Sequence, residues 1–374
     1  MAEADVVIVG GGPAGLAAAA AAGLAGLRTV LLERRPSPVD VPGETLHPGL
    51  EPALASIGAA WALHAASPLR HLGIWVDWGG DGPRFVPYGE DRHGPWRGFQ
   101  AHRRTLQALL LHHARACGVE VRQGWRALDP LVEAGRVTGV LTEQGPVAAR
   151  VVIDASGGRH WLARRLGLGL RQLSPRLIAA YGYCEGAPAP GARPAGITAA
   201  GCGWSWTARV DDERWAWVAL PLGPTRERPD RPAALARLTR ASPTRGADVS
   251  WRALEAPGGR GYFACGDAAA VLDPASSHGV LRAVASGVRA ARLARAVITG
   301  RLGETDAHAI YADALERQVA ADRAGLSELY ARLTPRPPWL GTPPVAARPF
   351  EARPAAERDS RPPPGAAPPR RSCS

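Results

Sequence analysis

The stretch DVVIVGGGPAGLAAAAAAGLAGLRTVLLERR, residues 5–35, constrains the fold of this chain more than any other. Its apolar run Val6–Val9 suits a strand buried on both faces of a parallel sheet. Gly10, Gly12 and Gly15 follow in G-x-G-x-x-G spacing, then an alanine-rich helix and a second strand, Thr29–Leu32, ending at Glu33. Each part has a physical task. Gly10 allows the tight turn, Gly12 lets the backbone approach a pyrophosphate, and Gly15 lets helix and strand pack closely. The helix N-terminus turns its free N–H groups on the phosphate charge. The acid closing the second strand accepts hydrogen bonds from a ribose, a role that suits Glu33. A glycine-rich turn in an ordinary βαβ unit would not account for Glu33 as well.

The chain has 374 residues, 46% of them hydrophobic, enough for one large unit or two interlocked domains. Its formal charge of +11 invites a nucleic-acid reading, yet all 45 basic residues are arginine and none is lysine. Uniform replacement of that kind, beside abundant Ala, Gly and Pro, reads as compositional bias. No arginine stripe interleaves with exposed aromatics, which argues against a nucleic-acid partner. The cysteines at 117, 184, 202, 265 and 373 have no zinc spacing and read as reduced thiols in a cytoplasm. The apolar N-terminus lacks a basic n-region and is broken by GGGP, so it reads as neither signal peptide nor membrane span. No metal site is expected.

Two distant segments repeat the strand-then-small-residue pattern: VVIDASGG, residues 151–158, and GYFACGDAAAV, residues 261–271. With the glycine fingerprint, this set resembles the FAD-dependent oxidoreductases of the glutathione-reductase-like class. The branch is the one holding aromatic hydroxylases, geranylgeranyl reductases and flavin-dependent halogenases. The resemblance implies FAD, bound through Gly10, Gly12, Pro13, Ala14, Gly15, Glu33, Arg34, Arg103, Gly266, Asp267, Gly279 and Val280. Asp267 would hold the ribityl or pyrophosphate part, and Asp273-Pro274 would start a turn. Gly279 and Val280 would present N–H groups to the flavin ahead of a helix from about Leu281 to Ile298, whose dipole favours negative charge. Ser276, Ser277 and His278 would line the flavin edge, with His278 either catalytic or merely capping. Residues 103–121 are similar to the family's arginine-led helix, where Arg103, or else Arg104, reaches the FAD phosphates. Residues 42–60 are similar to a GE-x-L-x-P segment that places Glu44 near the isoalloxazine as a second catalytic candidate. His112 and His113 read as a solvated helix face.

The expected fold class is α/β: a Rossmann-like FAD-binding domain with an inserted antiparallel β-sheet substrate domain, a C-terminal helix and a disordered tail. The FAD-binding domain would comprise 1–72, 98–165 and 256–302, and the substrate domain 73–97 and 166–255. A helix would follow over 303–334, then the tail over 335–374. The inserts hold Trp75, Trp78, Trp96, Trp204, Trp206, Trp215, Trp217 and Trp251. Alternation in GWSWTARV and RWAWVALPL predicts two antiparallel strands joined around Asp211-Asp212. The tail, dominated by Pro, Ala and Arg, has too few large apolar residues to offset ordering entropy.

Flavin-dependent halogenases carry W-x-W-x-I-P and need a lysine between flavin and substrate. Here Ala208-Arg209 replaces Ile-Pro and the chain has no lysine. Arginine stays protonated and lacks the nucleophilic amine, so halogenation is disfavoured. GE-x-L, G-W-x-W and D-P-x-S-S-x-G, at Gly43–Leu46, Gly203–Trp206 and Asp273–Gly279, are similar to flavoprotein maturases that oxygenate a partner protein's tryptophan. His47 stands where that pattern has its first proline. The resemblance implies a monooxygenase acting on an aromatic, indole-like ring, either a small molecule or a tryptophan of a partner protein. Trp204 and Trp206 would wall the substrate pocket, unless they simply fill the core. A geranylgeranyl-reductase-like enzyme, a halogenase and a non-enzymatic flavoprotein stay as alternatives. With no second dinucleotide fingerprint, NAD(P)H binding transiently or a separate flavin reductase would supply electrons. Oligomeric state is open.

Overall fold

The computed structural model describes residues 3–78, 80, 82–187, 193–201, 203–223, 229–341 and 345–349. Its central sheet runs Glu120–Gln123, Thr29–Glu33, Ala4–Val9, Gly145–Asp154, with Tyr262–Ala264 paired beyond. All four of those pairings are parallel, and the first strand of the chain sits in the middle. That is the doubly wound order, which leaves a crevice at the carboxyl ends of the strands. The strands read as apolar runs because both faces are covered, one by helices and the other by strand Arg136–Thr142 with the short helix Trp161–Leu166. Gly145–Asp154 is long enough to serve two partners: its first half also pairs antiparallel with Arg136–Thr142.

Helix Pro13–Leu24 packs against helix Gly279–Ile298 at a distance only small residues allow. A Cβ on Gly287 would come within 2.2 Å of the Ala14 carbonyl oxygen. The long helix begins at Gly279, two residues before the expected start, with His278 at its N-cap position but no side-chain cap.

Most strands of the inserted pieces form one sheet ordered Thr239–Arg240, Ile178–Glu185, Arg214–Pro221, Gly203–Arg209, Ala195–Ala200, Gly73–Asp77, Arg84–Pro87, while Gly169–Gln172 and Arg252–Leu254 pair in a second. The two tryptophan-bearing strands pair in antiparallel register, Trp206 opposite Val218, around the turn at Asp211. The sheet is not wholly antiparallel as expected. Ala195–Ala200 runs parallel to Gly73–Asp77, where the two inserts meet without a hairpin to set their direction.

The tail departs from expectation. Helix Glu304–Ala331 ends, and Trp339 then packs edge-on to Trp251 (5.2 Å) and Tyr330 (6.2 Å). Val345–Pro349 adds an antiparallel strand to Gly169–Gln172. Composition hid this, because one indole and an unpaired sheet edge suffice to fasten a proline-rich segment. The rest of the expected disordered tail, 342–344 and 350–374, lies outside the described residues, as do Cys202 and Cys373. Trp339→Ala should therefore cost about 2 kcal/mol of stability, read as a lower urea midpoint. Among the described residues, Cys117, Cys184 and Cys265 are free, no cluster fits a metal ion, and no helix is long and apolar enough to cross a membrane.

Candidate functional site

The crevice is built from the glycine turn outward. Gly10 has φ 110°, a backbone that disfavours any side chain, and a Cβ there would strike the Ala155 carbonyl oxygen at 2.4 Å. Gly15 is tighter still: its Cβ would sit 1.9 Å from the Gly10 carbonyl oxygen. Gly12, by contrast, faces open space and precedes a helix that opens on Pro13 with no side-chain cap. The first-turn N–H groups, at Ala14 and Gly15 among them, are thus left to a ligand. The cradle fits a pyrophosphate: close packing behind it, clear space before it, and unclaimed donors aimed into that space.

Glu33 stands at the cradle as expected, but its carboxylate also braces the turn. Oε2 accepts from Gly11 N–H (2.6 Å) and Oε1 from Arg35 N–H (2.9 Å), while Gln107 Nε2 donates to the Gly11 carbonyl (2.6 Å). Arg34 is exposed next to Glu33, and burial together with Arg159 and Arg35 draws its pKa down. Glu33→Ala should weaken FAD binding by about 2 kcal/mol, close to thirtyfold, by fluorescence titration of the apoprotein.

Arg103, not Arg104, turns inward. Its Nη1 donates to the carbonyls of Pro42 and Gly43 (3.2 and 3.1 Å), near Glu44 and Asp267. Arg104 pairs with Asp40 at the surface (3.3 Å). Gly266 and Asp267 form the turn after Tyr262–Ala264, and Ser286 Oγ accepts from Gly266 N–H (2.9 Å). Asp267 lies in a concavity: its side chain is open, yet protein surrounds it closely enough that burial pushes its carboxyl up against the pull of Arg282, Arg252 and Arg103. No group among the described residues donates a hydrogen bond to it. A solvent-open cleft is lined there by Gly266, Asp267, Leu272, Gly279, Arg282 and Ser286. A carboxylate without donors inside a cleft fits a ligand's hydroxyl or amide donor.

Glu44 is buried. Tyr183 Oη donates to its Oε1 (2.6 Å) and Gly43 N–H to its Oε2 (2.9 Å). Burial pushes its carboxyl up, opposed by the Tyr183 bond and the Arg103 charge. His278 follows Ser277, whose φ of 53° is uncommon off glycine and swings the chain into the helix. Gly279 is exposed with open space around it, and Val280 follows in the first turn. Burial lowers the His278 pKa, Asp322 opposes that, and Arg282 adds to it.

Trp204 and Trp206 divide. Trp204 is 3% exposed, and its Nε1 donates to Tyr330 Oη (2.8 Å), so it is held in the core. Trp206 is half-buried and keeps surface to offer. Tyr330 Oη in turn donates to Asp273 Oδ2 (2.8 Å), which also accepts from Trp251 Nε1 (2.5 Å). Sequence reading missed this network, and missed Arg252, whose Nε donates to His160 Nε2 (2.9 Å) while His160 Nδ1 bonds the Ala268 carbonyl (2.9 Å). That pair ties strand Arg252–Leu254 to the turn carrying Asp267. Arg252 as a charge inside the apolar run Trp251–Leu254, and His160 soon after Gly157-Gly158, were the only local signals.

The family model described as FAD binding domain matches residues 3–180, and that described as Tryptophan halogenase matches 93–323. A tryptophan 2-halogenase of Chondromyces crocatus is 26% identical over 345 residues, covering 82% of this chain and 64% of that protein. A 1H-pyrrole-2-carbonyl peptidyl-carrier-protein chlorinase of Pseudomonas fluorescens is 31% identical over 187 residues, 44% of this chain and 41% of that protein. The chain thus spans less than two thirds of the length of these relatives. The myxobacterial chondrochloren halogenase, a FAD-dependent halogenase, superposes with a TM-score of 0.80 at 25% identity, covering 87% of this chain and 82% of its own. With that fold, that cradle and a match over more than half its length, the chain belongs to the tryptophan halogenase family of FAD-binding proteins.

Proposed function

We infer that this chain is a FAD-dependent monooxygenase that adds one oxygen atom to an electron-rich, indole-like ring, free or borne as tryptophan on a partner protein. The observation that carries this reading is a halogenase fold built on a chain without a single lysine. FAD, when bound, supplies the reduction of O₂. The chain's own groups do the rest. The glycine turn and the N–H groups after Gly12 bind pyrophosphate, with Arg103 and Asp267 fixing the remainder. The uncapped start of helix Gly279–Ile298 favours negative charge at the ring end. The aromatic sheet keeps water out, with Trp206 as a half-buried indole on it. Electrons come from NAD(P)H or a separate flavin reductase.

Halogenation of the same class of ring is the second reading, favoured by the family match and the named activity of the Chondromyces relative. The test supplies reduced FAD, O₂ and bromide with tryptophan, tryptophan-containing peptides and a carrier-tethered pyrrole. Oxygenation adds about sixteen mass units without any need for halide. A bromine isotope doublet would overturn the reading.

A further inference from the structure

Two imidazoles from segments far apart in sequence meet beside the start of helix Gly279–Ile298. The rings of His47 and His278 lie 4.9 Å apart at 67°. On its other side His47 meets the Tyr88 ring, 5.3 Å away at 79°, and Tyr88 meets His71 at 5.4 Å. Gly49 N–H donates to His47 Nδ1 (3.0 Å), so the proton of neutral His47 sits on Nε2. His278 Nδ1 faces Asp322 Oδ1 at 3.9 Å, while Arg282 holds the other carboxylate oxygen at 3.0 Å. The charged and titratable groups facing His278 are therefore His47, Asp322 and Arg282, and those facing His47 are His278 and Tyr88. Tyr88 Oη is buried with no hydrogen-bond partner among the described residues, which leaves a polar end unclaimed beside the pair.

We propose that His47 and His278 act as one unit holding a single proton beside the cleft, with His278 as the acid and Asp322 as the positioning residue that decides which ring is charged. Two cations this close repel strongly, so the second proton enters only after a large fall in pH. Burial lowers both imidazoles, and the charge of His278 lowers His47 further. Among the described residues Asp322 is the carboxylate that faces the pair, and it lies on the His278 side. The inference rests on the oxygenase reading for its purpose. The oxygen atom of O₂ that does not reach the ring leaves as water, and His278 supplies one of its protons. The N–H bond breaks, an O–H bond forms, and the emptied imidazole is refilled from solvent.

The test is a heteronuclear NMR titration of the histidine rings in the FAD-loaded full chain, beside His47→Gln, His278→Gln and Asp322→Asn. Removing His278 should raise the midpoint of His47 by about one pH unit, while Asp322→Asn should lower that of His278. A His47 midpoint indifferent to His278→Gln would overturn the pair. This readout needs no turnover, so it separates failure of the pair from failure of the oxygenase reading. During turnover, Asp322→Asn should lower kcat rather than raise KM and move the alkaline limb of kcat to lower pH, with Asp322→Glu restoring both. Unchanged kcat in His278→Gln would overturn its role as the acid.

Discussion

Replacing Asp273 with alanine is expected to destabilise the protein by about 4 kcal/mol, the largest effect of any single substitution considered. Asp273 is fully buried, yet every donor around it is matched: Ala275 N–H to Oδ1 (3.0 Å), Trp251 Nε1–H and Tyr330 Oη–H to Oδ2. Alanine would strand all three, and each unsatisfied buried donor costs about 1–3 kcal/mol. Removing a buried carboxyl returns part of that, since desolvation pushes the Asp273 pKa up. The damage would also spread, because Tyr330 is the acceptor for Trp204 and stacks on Trp78 at 6.0 Å and 4°. Asp273→Asn keeps one carbonyl oxygen and should cost less than half as much, and Tyr330→Phe should fall between. Urea denaturation of the three variants gives the ranking. An alanine variant as stable as the parent would mean that the donors find water, and that the network is packing only.

The second large effect is a dependence on pH carried by His160. The ring is fully buried, and burial pulls its pKa from 6.5 down to about 4, partly offset by its bond to the Ala268 carbonyl, while the Arg252 charge lowers it further. Nε2 accepts from Arg252, so Nδ1 carries the proton and donates to Ala268. Protonating Nε2 would set an imidazolium against a guanidinium. The folded pKa lies below the unfolded one, so between pH 6.5 and 4 the unfolded chain binds more protons. The stability from neutral His160 is whole above pH 6.5 and drains as pH falls towards 4. The expected loss is about 3 kcal/mol. Glu44, Asp154 and Asp273 have raised pKa values and work with the opposite sign over their own ranges, so the wild-type curve alone mixes them. The difference between wild type and His160→Asn, measured by urea midpoints from pH 7.5 to 4.5, isolates the histidine. That difference should shrink with falling pH.

Much of the nucleotide-binding half was legible because its signals are local. Three glycines, an apolar strand on each side and an acid after the second strand lie within thirty residues, and backbone sterics give each a single use. In the arginine-led helix beside the cradle, Arg103 turns inward while its neighbour Arg104 pairs with Asp40 at the surface, a choice the sequence left open. The roof hairpin followed from alternation around Asp211. What escaped depends on contacts between distant segments. Asp273 reads as a turn former before proline and is one, since its Oδ1 takes the Ala275 N–H. Its partners Trp251 and Tyr330 lie 22 and 57 residues away, and nothing near Asp273 announces them. Trp204 looked like a pocket wall because its strand alternates, but alternation only separates two faces and does not say which is covered. The parallel junction of Ala195–Ala200 with Gly73–Asp77 and the docking of Trp339 are likewise decisions of tertiary packing. His47 was visible only as a proline out of place.

The claim that this lysine-free member of a halogenase fold oxygenates an aromatic ring is tested most directly by isotope. Reduced FAD and ¹⁸O₂ are supplied with tryptophan or a tryptophan-bearing peptide in ordinary water, bromide is present, and the product is weighed. The account predicts a gain of about eighteen mass units, proving that the added atom came from O₂. A product carrying bromine, or oxygen drawn from water, would contradict it.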